Sequence, residues 1–289
     1  MNSESITNWH LYAKDVINPF DLGNVRLILD PSNSSFSDTG MTTKSVANGS
    51  CAGLRDGSEN GFSFTQSLSD NKPTFKTGGR NNNNYLDFAF GASGNSFMAC
   101  ASRSALKCLH DGTGGSIYVV AEMPYATANL APGNVLSTNN LSSSTIGFSL
   151  TTDLSIDGTN LYSSADVSNG ASNIGHTQLY GLNYEFRVIG FRVKQSLTPD
   201  MNMRLDSDFG SPTMDTSDVI NEANFSGSVS SSDAGADITI GEVGVDTGAY
   251  CVMKLYLVIA YDECLSDYNH DRLLQYFKAR FDLPEYTIV

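Results

Sequence analysis

From Cys251 to Tyr261 one parity of the chain (Cys251, Met253, Leu255, Leu257, Ile259, Tyr261) is apolar throughout. The other parity carries Lys254 among Val252, Tyr256, Val258 and Ala260. A period of two with both parities mostly apolar predicts a strand buried on one face and largely covered on the other. Ser266 or Asp267 then offers an N-cap oxygen. Leu273, Leu274, Phe277 and Phe281 recur at helical spacing, so a helix with an apolar stripe follows the strand and must dock on something. Pro284 ends it.

The rest of the chain reads as short strands and turns. Val25–Asp30 is a first strand, and residues 54–77 hold the tight-turn pairs Asp56-Gly57 and Asn60-Gly61 before an extended piece opened by Pro73. Tyr85–Phe90 alternates, and Ile117–Met123 is strongly apolar. Ile146–Leu150, Asp153–Ile156 and Asn160–Ser163 are short strands, the last two joined by Asp157-Gly158, a hairpin signal. In Tyr184–Lys194 the polar parity switches across Gly190, from Glu185 and Arg187 to Arg192 and Lys194, which predicts a β-bulge there. Residues 196–237 are rich in Asp, Ser and Asn without period and read as an extended surface loop; Ile238–Val243 leads back to the long strand. Roughly ten to twelve strands, no internal repeat and one closing helix make an all-β fold: a two-sheet antiparallel sandwich of jelly-roll type with one C-terminal helix.

Residues 1–24 lack strand or helix period and read as an N-terminal arm ahead of a single domain, 25–289. Its aromatics Trp9, Tyr12 and Phe20 either lie back on the domain or anchor a partner, since aromatics are enriched at interface anchors. With 26 glycines and 17% charged residues the composition suits strands joined by turns, and a net charge of −14 argues against nucleic acid and anionic membranes as partners. Five cysteines without framework spacing point to free thiols and a reducing compartment. The N-terminus shows no signal-peptide pattern, and the longest apolar run, Leu255–Tyr261, is too short to span a bilayer.

Several stretches, in order, resemble the concanavalin A-like, laminin-G-like jelly rolls of phage and bacterial surface proteins. LILDPSNSSF is similar to their opening strand and loop, and IYVVAEM to an internal strand. In LRDGSENGFSFTQSLSDNKPTFKT, Arg55, Asp56, Asn60, Gly61, Gln66, Pro73 and Phe75 fall in step with the family, although Leu54 stands where it has Trp. In the closing segment Tyr261, Asp262, Leu265, Ser266, Asp267, Arg272 and Tyr276 align. The resemblance implies a concanavalin A-like jelly roll and no single activity, because this fold carries lectins, glycanases and chemically silent domains alike.

Candidate chemistry is sparse. Paired carboxylates at the glucanase spacing are missing: Glu185 stands alone and Asp153/Asp157 bracket a hairpin. Gln275–Ala279 echoes an alginate-lyase motif but sits in the closing helix without that family's other signatures. His10, His110, His176 and His270 have no paired metal spacing, so no metal or other cofactor is expected. Calcium is left open by Asp206, Asp208, Asp215 and Asp218, which share one polar stretch where a solvated loop is the plainer outcome. Tyr125, Tyr162 and Tyr180 are candidate glycan-contact residues, packing being the commoner fate of such tyrosines.

The expectation is a non-enzymatic bacteriophage virion structural protein, a capsid decoration or head or tail fibre component, assembled in the host cytoplasm. Its partners would be other virion proteins, with self-association and a host surface glycan open. The alternatives are a carbohydrate-binding host-adhesion module and a diverged polysaccharide-cleaving enzyme.

Overall fold

A computed structural model gives the fold and describes residues 17–91, 94–123, 133–139, 144–154, 161–180, 185–194, 202–206, 223–224, 229–242 and 250–283. Two antiparallel sheets face each other. The first runs β17 (Ala223–Asn224), β16 (Asn202–Asp206), β15 (Glu185–Lys194), β10 (Gly115–Met123), β19 (Met253–Tyr261), β6 (Tyr85–Phe88), β5 (Thr74–Lys76), and β1 (Val25–Leu29) also pairs with β19. The second runs β14 (Asn173–Tyr180), β13 (Leu161–Ser168), β12 (Gly147–Leu154), β11 (Gly133–Ser137), β18 (Ile238–Ile240), β9 (Met98–Cys100), β4 (Ser63–Thr65), β3 (Gly53–Arg55), β2 (Ser35–Phe36). β7 (Phe90–Gly91) and β8 (Gly94–Asn95) form a separate hairpin. A short helix α1 (Pro31–Ser34) follows β1, and α2 (Asp267–Phe281) follows β19. The two-sheet sandwich with a C-terminal helix read from the sequence is the fold observed.

The long strand β19 is central, between β10 on one side and β6 and β1 on the other. Its two ends present opposite parities to the inter-sheet core. Met253 and Leu255 point there, then Val258 and Ala260, while Tyr256, Leu257, Ile259 and Tyr261 face the helix. The switch is a β-bulge: Val120 of β10 pairs with Leu257 and Ala121 with Leu255, leaving Tyr256 as the extra residue. The same point is where the neighbour on the far edge changes from β6 to β1.

The bulge expected at Gly190 is not found. β15 pairs with β10 in unbroken register from Val193 to Glu185. Arg192 shares its parity with Phe186 and Val188, which face α2, and it is 2% exposed. Its guanidinium donates to the carbonyl of Leu265 at 3.1 Å and to Asp267 at 3.0 Å, at the start of the helix. A polar residue on an apolar parity here marks a buried anchor, not a shift of phase.

Ser266 caps α2 by accepting the Asn269 N–H, and Asp282 closes it in the left-handed conformation. Leu273, Phe277 and Phe281 are buried against Tyr118, Val120, Ile28 and Ile259 of the first sheet. Polar anchors sit within this apolar contact: Tyr118 Oη is 2.8 Å from His270 Nδ1, and Arg280 reaches Asp30 at 2.9 Å and the Tyr276 hydroxyl at 2.9 Å.

The loop motif of residues 55–75 is likewise structural. Buried Asp56 accepts the N–H groups of Ile28, Ser58 and Phe62, tying the turn onto β1, and Asn60 donates to the carbonyls of Val25 and Arg26. Gln66 bridges Phe97 and Leu68. Two stretches differ from expectation. Where the short strands Ile146–Leu150 and Asp153–Ile156 are expected, Gly147–Leu154 is one continuous strand, β12, paired along its length with β13; residues 155–160, with Asp157-Gly158, lie outside the described residues. Within 196–237, β16 extends the first sheet by pairing with β15, so that stretch is not wholly loop. None of the five cysteines is in a disulfide.

Candidate functional site

The outer face of the first sheet is only partly covered by α2. Beyond the helix, register sets Glu122 of β10 opposite Lys254 of β19, Lys254 opposite Asp87 of β6, and Asp87 opposite Thr74 of β5. Their sequence neighbours Ala121, Met253, Leu255, Leu86, Phe88 and Phe75 all point into the inter-sheet core. Alternation therefore puts this polar row outward. Lys254 and Glu122 pair at 2.5 Å, with side chains 37% and 34% exposed.

Tyr85 stands beside the row, half-buried, its ring 5.2 Å from that of Tyr256, with Lys254 Nζ 5.8 Å from its centre. Tyr256 is fully packed, 5.0 Å from Phe186, and donates toward Glu122 at 3.5 Å. A Cβ at Gly79 would lie 2.6 Å from the Tyr85 ring and 2.7 Å from the Tyr256 hydroxyl, so glycine lets the backbone pass against both rings. Residues 80–83 make the adjoining wall. Arg80 donates to the carbonyls of Phe281 and Asp282, and Asn81 to that of Arg280, stitching the wall to the end of α2.

The hydrogen bond to Glu122 holds the Lys254 ammonium above the ordinary lysine range, and burial raises the Tyr256 phenol. Both stay protonated at neutral pH. The corner thus offers a fixed aromatic face, one cation and two carboxylates on rigid strands, the groups that stack on a sugar ring and hydrogen-bond its hydroxyls.

The residues read from sequence fall elsewhere. Trp9, Tyr12 and Tyr125 lie outside the described residues. Phe20 is 40% exposed on a segment held by the Tyr261 hydroxyl bonding Pro19 and by Asn269 bonding Leu22. Tyr162 pairs with Leu179, and Tyr180 with Leu161, at one end of β13 and β14; the register sets the two on opposite parities of the ladder. Asp206 ends β16, while Asp208, Asp215 and Asp218 lie outside the described residues. Among the described residues no group of three or more His, Cys, Asp or Glu could hold a metal. His110 is fully buried with Nε2 at 3.1 Å from the Ser232 carbonyl, and His270 serves the helix contact; His10 is not among the described residues. No helix among the described residues is long and apolar enough to cross a membrane.

No protein-family model and no curated protein matches the chain. Solved structures do. The binding domain of botulinum neurotoxin serotype C1 superposes with a TM-score of 0.54 at 11% identity, covering 93% of this chain and 54% of that one. A structure of botulinum neurotoxin type C, whose way into cells depends upon interaction with two ganglioside molecules, gives 0.53 at 10% identity over 91% and 52%. A glycoside hydrolase family 54 α-L-arabinofuranosidase mutant gives 0.52 at 11% identity over 83% and 55%. The chain spans about half the length of the structures it resembles, and at these identities the likeness is one of fold.

Proposed function

We propose that the sandwich is a non-catalytic glycan-binding domain, with the open corner around Tyr85 as its sugar contact. The observation that carries this is the half-open Tyr85 ring beside the Glu122–Lys254–Asp87 row, each member fixed by strand register. A rigid aromatic platform ringed by hydrogen-bonding groups suits a ligand with one apolar face and many hydroxyls. The fold likeness to domains described with gangliosides or an arabinofuranoside supports a carbohydrate over other amphipathic ligands. On a glycan array the full chain binds a subset of glycans saturably, and Tyr85→Ala weakens that binding at least ten-fold with an unchanged unfolding midpoint. Binding that survives Tyr85→Ala and Lys254→Met moves the site elsewhere.

Display of this domain on a phage particle is supported by the sequence resemblance, and by Phe20 lying exposed on a segment tied to the domain. Residues 1–24, with Trp9 and Tyr12, are the proposed particle contact. Mass spectrometry of purified particles tests this: absence of the chain sinks it.

A further inference from the structure

We propose that Lys44 and Arg55, held against Phe36 at the end of the second sheet, form a seat for the oxyanion of an acidic sugar, a carboxylate or sulfate. Choosing sugar as the carrier rests on the glycan-binding reading above; the anion seat itself does not.

Phe36 lies on the terminal strand β2, 6% exposed. Lys44 Nζ is 4.4 Å and the Arg55 guanidinium carbon 4.9 Å from its ring centre. Both cations are on exposed residues. The ring's electron-rich faces account for each cation singly but not for two together, since like charges held near one another repel. That repulsion is felt: burial, and then the charge of Arg55, push the Lys44 ammonium below the ordinary lysine range.

Each cation is pinned by one carbonyl, Lys44 by that of Asn33 and Arg55 by that of Met41 at 3.0 Å. The segment supplying Met41 is itself fixed. A Cβ at Gly53 would come within 2.8 Å of the Asp38 carbonyl and of Met41 Cγ, so residues 38–41 pack directly on β3. Lys44 is further located by its bridge pairing with Phe36. The two charges are therefore preorganised, and their remaining N–H donors take no further hydrogen bond among the described residues.

No carboxylate lies within ion-pair distance of either among the described residues. The acid in the same segment, Asp38, turns its oxygens to the N–H groups of Thr42 and Thr43 at 3.2 and 2.7 Å. In a chain with 31 acidic and 17 basic residues, two cations on one ring with no carboxylate in ion-pair distance among the described residues are the reverse of what random placement supplies. An oxyanion that presents two oxygens, as carboxylate and sulfate both do, matches the guanidinium fork, and its charge offsets the repulsion between Arg55 and Lys44.

The test titrates the full chain with lactose, lactose sulfate and sialyllactose, following affinity by calorimetry and the Lys44 side chain by NMR. The two acidic sugars bind at least ten-fold more tightly than lactose and shift the Lys44 signal. Lys44→Gln and Arg55→Gln each bring them down to the level of lactose, Lys44→Arg restores most of the difference, and raised salt erases it. The urea midpoint of each variant shows that it folds. If the three sugars bind alike, or if the glutamine variants keep the preference for acid, the seat is refuted while glycan binding at Tyr85 stands. If inorganic sulfate shifts Lys44 but no sugar binds, the seat stands and the glycan reading falls. A silent Lys44 in every titration leaves the two cations as packing for Phe36 and overturns the proposal.

Discussion

The outer face of the first sheet is divided between a part roofed by α2 and a corner left open, and both use tyrosines and ion pairs. Under the roof, Arg280 is bonded at once to Asp30, Tyr276 and Asn83, and Tyr118 to His270. These buried polar groups are tied to one another, because an unpartnered one costs the full desolvation penalty. In the corner, Glu122 and Lys254 answer each other across one strand spacing but keep a third of their surface in water, and Tyr85, set against the Tyr256 ring, is only half-buried. The same chemistry thus fixes a helix in one place and leaves a binding surface in the other. What separates the two is how far the helix reaches.

The sharpest way to break this contrast is at Asp30. It caps α1 through the Ser32 N–H and receives the Arg280 guanidinium while 3% exposed. Asp30→Ala strands a buried cation and costs about 3–5 kcal/mol in urea unfolding. Pairing Arg280→Met with Asp30→Asn recovers at least half of that loss, since no charge is then left alone. A loss below about 1 kcal/mol for Asp30→Ala would show the roof to be as wet as the corner.

How much of this could be read beforehand depends on contrast along the chain. The β19–α2 unit was legible because strand and helix periods each ran long enough to register. The bulge at Tyr256 was not, since both parities of β19 are apolar and a switch between them leaves no polar trace. Arg192 produced the opposite illusion: a buried, partnered cation looked like a change of face. β16 escapes notice although its residues, NMRLD, alternate, because five residues with only two apolar positions register weakly inside a long polar stretch. The corner site was beyond reach for a different reason. Tyr85, Glu122 and Lys254 come from three strands far apart in sequence, and only the register of β6, β10 and β19 brings them together; the one available signal was Lys254 as the polar residue of a covered strand.

A second test separates the regions by pH. Burial pushes the Tyr276 phenol up to about 12 from an ordinary value of 10. Between those values the unfolded chain has released this proton and the folded chain still holds it. The folded state then binds more protons, and stability falls as pH rises from 10 toward 12. Two units correspond to about 3 kcal/mol from this one group. Tyr276→Phe makes the alkaline slope of urea stability shallower, the remainder belonging to Tyr256 and Tyr261, whose phenols burial also raises. An identical slope in the variant would mean that the roof opens before Tyr276 titrates.

The smallest effect is expected in the corner. Lys254→Met removes an ion pair more than a third exposed and keeps the methylene stem, so stability changes by no more than about 0.5 kcal/mol. The Glu122→Gln partner behaves alike, and the double variant adds nothing beyond the two singles, because water already does for each group what the other does. If the pair instead proves worth several kcal/mol, Glu122 and Lys254 belong with Asp30 and Arg280 as anchors of the sheet. A surface whose charges are needed to hold it together has few left over for a ligand, so the corner's claim to be a site depends on those two side chains being dispensable to the fold.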